Sequence, residues 1–163
     1  MTATLVVQTA FLGDVVLTTP LLSVLAARGG PVDVVTTPAA APLLASHPAV
    51  RAVIPYDKRG RDRGAAGLLR LAGELRRRRY ARVYLPHRSW RSAGLALLAG
   101  VPERIGFADS PAALTYTRRV PRAPTGHESV RLLALAAEPG APPPEAPIGL
   151  GLTAADREQA AAW

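Results

Sequence analysis

The chain has 163 residues, 48% of them apolar, with 20 basic against 12 acidic side chains and a net charge of +8. That length fits one domain with a sizeable core, and the lack of cysteine excludes a disulfide framework or a thiolate centre. No apolar run reaches the roughly 18 residues of a membrane span, and no basic stretch followed by an apolar core marks a signal peptide, so the expectation is a cytoplasmic protein.

A short β-branched run over residues 5–7 gives way to a turn at Gly13 and Asp14 and then to an amphipathic stretch over residues 15–27. This pattern predicts strand, tight loop and helix, the opening unit of an α/β domain. In open parallel sheets ligands collect outside the carboxyl ends of the strands, so a carboxylate in this loop stands where chemistry is usually done. Two roles stay open for Asp14: a working carboxylate, or a cap for the helix that follows, with Gly13 only permitting the turn.

Arg28-Gly29-Gly30-Pro31 stops the helix, and residues 32–36 form a second strand. A short helix over residues 39–45 closes at His47-Pro48, and residues 50–55 make the third strand. The polar loop 58–63 is expected to be mobile. From Gly64 the leucines at 68, 71 and 75, with Ala72, keep the spacing of a helix with one buried face. Residues 82–86 form a fourth strand, a polar turn covers residues 87–92, and a helix runs over residues 93–99. If the sheet is parallel, this second strand-end loop faces the same crevice as Asp14. Then come a strand over residues 101–107, a turn at 108–111, an extended stretch over 114–120 that presents Arg118 and Arg119, and a helix over 127–137. The alternation predicts an α/β fold, a Rossmann-like, mainly parallel sheet with helices on both faces.

The charge is concentrated. Twelve of the 20 basic residues lie between Lys58 and Arg91, opposed only by Asp62 and Glu74. Such a stretch suits an anionic ligand: a phosphorylated sugar or lipid, a nucleic acid, or a membrane surface. Beyond Glu138 the chain changes character, since five of the nine residues over 139–147 are proline, the composition of a semi-rigid linker. A capped helix start at Thr153 follows. The expected organisation is a Rossmann-like domain over residues 1–138, then a linker and the start of a further domain over residues 139–163.

Dinucleotide, P-loop and hydrolase-elbow motifs are all missing. His47, His87 and His127 have no short metal-ligand spacing, and no metal site is expected. The run from Leu5 through Leu12-Gly13-Asp14-Val15 to Pro20-Leu21-Leu22 resembles the amino-terminal signature of the ADP-heptose:lipopolysaccharide heptosyltransferases, glycosyltransferase family 9. Similar segments follow in the same order: His87-Arg88-Ser89 with Arg91-Ser92-Ala93, Pro102-Glu103-Arg104-Ile105-Gly106-Phe107, Tyr116-Thr117-Arg118-Arg119, and His127-Glu128-Ser129-Val130-Arg131.

The resemblance implies the amino-terminal half of a two-domain GT-B glycosyltransferase, the half that binds the acceptor. It implies that Asp14 is the general base for an inverting, metal-independent transfer of a heptose or related sugar from a nucleotide sugar, with no cofactor. It further implies a phosphorylated or acidic sugar acceptor of the lipopolysaccharide-core kind, held by Thr9, Gly13, His87, Arg88, Arg91, Ser92, Arg118 and Arg119. The nucleotide sugar would meet the missing carboxyl-terminal domain, and the basic region could rest on the inner face of a membrane. The alternative is a basic α/β module that binds nucleic acid or another anion without catalysis. Few aromatics are interleaved with the arginines, so nucleic acid is not the expected partner.

Overall fold

The computed structural model describes residues 3–162. Six strands form one sheet: β1 (Thr4–Gln8), β2 (Val32–Thr36), β3 (Val50–Pro55), β4 (Arg82–Leu85), β5 (Glu103–Phe107) and β6 (Arg118–Val120), in the order β3-β2-β1-β4-β5-β6. Every pairing is parallel, with Leu5 level with both Asp33 of β2 and Val83 of β4. The expected α/β, Rossmann-like fold is therefore what the chain adopts, and the sheet is wholly parallel.

Side chains alternate between the two faces of the sheet, and each face is buried under helices. Leu5, Val7, Val83 and Leu85 pack against α3 (Gly64–Arg78) and α4 (Trp90–Leu98). Val6, Val34, Ile105 and Phe107 pack against α1 (Leu12–Gly29), the short α2 (Ala41–Leu44) and α5 (Glu128–Leu133). By length and hydropathy α1 could cross a membrane, but its inner face, including Val15, Leu21, Leu22 and Leu25, is buried in this core. Pro20 lies inside α1 and cannot donate to the Val16 carbonyl, which accepts instead from the Thr19 hydroxyl at 2.8 Å.

Several local expectations are corrected. Gly13 and Asp14 lie in the first turn of α1, not in a turn before it, because Phe11 is extended (φ −73°, ψ 166°) and its amide N–H is received by the Asp14 carboxylate. Helix α4 begins at Trp90, capped by the Ser89 hydroxyl, so Arg91 and Ser92 are helical. Residues 113–115 make a 3-10 turn before β6 starts at Arg118, and α5 tightens into a second 3-10 turn over residues 134–136. The loop after β3 is a bonded turn: the Asp57 carboxylate accepts the Gly60 and Arg61 amides at 2.8 and 3.2 Å, and buried Asp62 accepts the Asp57 amide at 2.9 Å.

Residues 137–153 carry no helix or strand, and α6 (Ala154–Ala161) buries no side chain. The segment still touches the domain, since the Gly149 amide donates to the Thr19 hydroxyl at 3.1 Å. Gly151 passes so close to the Ser46 carbonyl that a Cβ there would overlap it.

Candidate active site

The order of the strands reverses between β1 and β4, since β2 and β3 lie to one side of that pair and β5 and β6 to the other. At such a switch point the loops leaving the two strands diverge and open a crevice at the carboxyl edge. Here it is a cleft of about 720 Å3. The β1–α1 loop brings Thr9 and Phe11, the first turn of α1 Asp14, the β3–α3 loop Lys58 and Arg59, and the β4–α4 loop His87 and Arg88. Arg122, after β6, and Glu128, at the start of α5, line it as well.

Asp14 is held from two directions. Its carboxylate accepts the Phe11 amide at 3.1 Å, and its carbonyl accepts the Thr18 hydroxyl at 2.7 Å. Thr18 is buried and receives the Gln8 side-chain amide at 2.9 Å, which ties the end of β1 to the second turn of α1. The carboxylate thus sits on a rigid helix start, half-exposed at the cleft, with lone pairs left over for a ligand hydroxyl.

Cations surround it. Burial holds the Lys58 ammonium below the usual lysine range, helped by the charges of Arg59 and Arg91. Its Nζ donates to the Thr9 carbonyl at 2.7 Å, which pins the β3–α3 loop against the end of β1. Burial pushes the His87 imidazole down as well; Lys58 and Arg88 add to this and the Asp14 charge opposes it. Arg88 is half-exposed and pairs with Asp109 at 2.8 Å. Arg122 pairs with Glu128 at 2.6 Å and stacks over Phe107, 5.3 Å from the ring centroid.

The residues expected at the site divide by location. Asp14, Thr9, His87 and Arg88 share the cleft. Thr9 and Ser92 are buried, their hydroxyls 3.5 Å apart, and join the segment after β1 to the first turn of α4. Arg91 donates to the Tyr56 hydroxyl at 2.6 Å and the Gly64 carbonyl at 3.0 Å, so it braces the cleft wall without lining it. Gly13 lies outside the lining, on the exposed side of α1. Arg118 bonds the Leu135 carbonyl and Arg119 is exposed on the edge strand, both away from the cleft lining. Lys58, Arg122 and Glu128 are cleft residues that the sequence reading did not place there. Among the described residues, no three His, Asp or Glu side chains come together as metal ligands would.

The sequence signature of glycosyltransferase family 9 (heptosyltransferase) matches residues 68–162, a stretch that starts after Asp14 and Lys58. Among solved structures, the chain is similar to a glycosyl transferase of family 9 from Veillonella parvula, with a TM-score of 0.87 at 22% identity over 99% of this chain and 48% of that one. It is similar to the E. coli ADP-heptose lps heptosyltransferase II (TM-score 0.77, 25% identity, 98% of this chain and 50% of that one). It is also similar to the E. coli heptosyltransferase WaaC, solved with ADP (TM-score 0.73, 26% identity, 89% and 49%). The chain thus spans about half the length of these solved structures. No curated protein sequence matches it.

Proposed function

The chain belongs to glycosyltransferase family 9, the heptosyltransferases, and on that premise we propose that it is the acceptor-binding half of an inverting, metal-independent GT-B glycosyltransferase. The reaction moves a heptose or related sugar from a nucleotide sugar to an acceptor of the lipopolysaccharide-core kind. Residues 1–138 form the acceptor domain, and residues 139–163 are the linker and the first helix of the domain that holds the nucleotide sugar.

One observation carries the reading: the Asp14 carboxylate and the cationic groups of Lys58, Arg59 and Arg88 face one cleft at the switch point of the sheet. An acceptor hydroxyl placed against Asp14 gives its proton to the carboxylate as its oxygen attacks the anomeric carbon of the donor. The bond from that carbon to the diphosphate oxygen breaks on the opposite side, so the configuration inverts and the nucleoside diphosphate leaves with the bonding pair. Asp14 contributes as a general base within hydrogen-bond reach of the proton it removes. The cations contribute orientation, because phosphates or carboxylates on the acceptor are held by charge-assisted N–H donors. Neutral His87 beside Asp14 offers a further polar contact without adding another full positive charge. Thr9, Ser92 and Arg91 act indirectly, by fixing the loops.

The decisive experiment is steady-state kinetics of the whole transferase with Asp14→Asn, using an ADP-heptose donor and an inner-core acceptor. A loss of turnover with the acceptor KM nearly unchanged supports the reading, and an unchanged kcat overturns it.

A further inference from the structure

Phe11 breaks two local rules at once. It stands at the N-cap of α1, where Ser, Thr, Asp or Asn would offer a side-chain oxygen to the free helix amides, and its ring accepts nothing. Nor does it work as a core residue, since it is 79% exposed. Single exposed apolar side chains are ordinary, but this one lines the cleft three residues from Asp14. A ring that neither caps nor packs, beside the group proposed to take the acceptor's proton, points to a contact made by a ligand.

The root of the ring is fixed. The Phe11 amide donates to the Asp14 carboxylate at 3.1 Å and the Phe11 carbonyl accepts the Val15 amide at 3.2 Å, so both backbone polar groups belong to the start of α1. Only the two side-chain torsions are left to settle when a partner arrives, and little entropy is lost. Among the described residues, Phe11 and Tyr56 are the benzenoid rings on the cleft lining. Tyr56 is 2% exposed and its hydroxyl is taken by Arg91 at 2.6 Å, which leaves Phe11 as the ring with open faces. Because the Asp14 carboxylate is tied to the Phe11 amide, a hydroxyl that reaches this carboxylate brings the carbon skeleton it is attached to next to residue 11. Phosphates and carboxylates on that skeleton suit Lys58, Arg59 and Arg88, but those charges do nothing for its C–H groups. A pyranose presents C–H groups, weakly positive, on one face, and the face of a benzene ring is the weakly negative, apolar surface that complements them.

We infer that Phe11 is the stacking platform for the acceptor: the pyranose ring that carries the attacking hydroxyl lies with a C–H face on the Phe11 ring while that hydroxyl meets Asp14. The inference rests on the acceptor reading of the cleft and makes Phe11 a specificity-determining residue, favouring a phosphorylated sugar ring over other phosphorylated alcohols. It is tested on the 163-residue chain by calorimetry with a phosphorylated inner-core sugar and with inorganic phosphate, which has no ring to stack. Phe11→Trp in a Trp90→Phe/Trp163→Phe background puts the single tryptophan at position 11, and its emission reports the contact directly.

The expected result is weak sugar binding that falls about three- to tenfold in Phe11→Ala. Phe11→Tyr and Phe11→Trp should keep it, and Phe11→Leu, which is apolar but has no flat face, should not. Phosphate binding should be indifferent to all four substitutions, and the tryptophan at position 11 should change its emission saturably with the sugar and not with phosphate. The ring is exposed and bonds nothing, so the variants keep the fold, which circular dichroism checks. Sugar affinity that ignores Phe11→Ala, or that Phe11→Leu keeps in full, overturns the inference and leaves the acceptor reading of the cleft standing. Sugar affinity unchanged in this chain, with turnover lost by Phe11→Ala in the whole transferase, gives the ring to a contact with the other half and overturns it as well. If the unaltered chain does not bind the sugar, the acceptor reading itself fails and takes the inference with it.

Discussion

The Asp14 carboxylate accepts the Phe11 amide at 3.1 Å, so the group proposed to take a proton from the acceptor also closes the first turn of α1. The two roles that the sequence left open for this residue are compatible. One oxygen can serve the helix end and leave the other for the cleft, so the helix end would hold in place the carboxylate proposed to act as base.

The compatibility makes the substitution informative. Asn at position 14 still accepts the Phe11 amide, so Asp14→Asn should cost the fold less than about 1 kcal/mol in a denaturant titration. Turnover of the whole transferase should fall by ~10²-fold or more, because the amide cannot take a proton. Asp14→Ala loses both functions and should add about 0.5–2 kcal/mol of destabilisation. If Asp14→Asn unfolds the domain while the folded remainder turns over normally, the residue is a cap alone.

His87 should report on the cleft by its own titration. Burial lowers its folded-state pKa, Lys58 and Arg88 lower it further, and Asp14 raises it. The midpoint from the imidazole proton resonances should fall below the ordinary 6.5, so the ring is neutral at pH 7. Asp14→Asn should lower the midpoint further, and Lys58→Met should raise it. Because the folded pKa is depressed, the unfolded chain takes up the proton first. This contribution to stability is in place above about pH 6.5 and is lost as the pH falls toward the folded value. A midpoint that ignores both substitutions would separate His87 from Asp14 and Lys58.

At the opposite end of the sheet, Asp33 governs stability and not the site. It is fully buried on β2 and receives Arg51 through two hydrogen bonds of 2.9 Å, with Arg78 at 3.4 Å and the Tyr80 hydroxyl completing the cluster. Burial alone would raise its pKa, but the Arg51 and Tyr80 hydrogen bonds and the charges of Arg51 and Arg78 hold it below the usual carboxylate range. The ionised form therefore favours folding. That contribution is complete above the unfolded value of about 3.9 and is lost as the pH drops through the lower folded value. Asp33→Asn should destabilise by about 2–3 kcal/mol at neutral pH, since it leaves buried donors partly unpaired, and should flatten the acid limb of the stability curve. Melting temperatures across an acid series measure both effects.

The contrast between these two ends explains what was legible in the sequence. Strands β2 and β3 have the expected bounds because alternating β-branched runs between Gly and Pro stops leave little choice. Asp14, His87 and Arg88 could be placed on one rim because parallel topology puts every strand-to-helix loop on the same side. Lys58 could not, since a lone lysine in a polar loop has no period, and only the bond to the Thr9 carbonyl brings it into the cleft. Arg91 looked like a loop cation, but Ser89 caps a helix one residue before Trp90 and turns Arg91 toward Tyr56 and Gly64. Arg118 and Arg119 belong to the edge strand, and sequence spacing carries no sign of their distance from the switch point.

The last prediction is that the 163 residues by themselves do not bind a nucleotide sugar appreciably and do not transfer one. The cleft, with Asp14 and the cations proposed to hold the acceptor, is lined entirely by residues between 8 and 132 of this half. The solved relatives are about twice as long as this chain, and in the proposed arrangement the donor meets the second half. The segment leading out is anchored at Gly149 through the Thr19 hydroxyl, while α6 buries none of its side chains against the domain. A transfer step gains much of its rate from holding two reactants in one geometry, and one wall of a cleft cannot hold both. Acceptor binding should survive, weakened. Calorimetry of this chain with ADP-heptose and, separately, with a phosphorylated inner-core sugar should therefore give no heat with the first and weak saturable binding with the second. Tight binding of the nucleotide sugar here would assign the donor site to the cleft at Asp14 and overturn the division of labour between the halves.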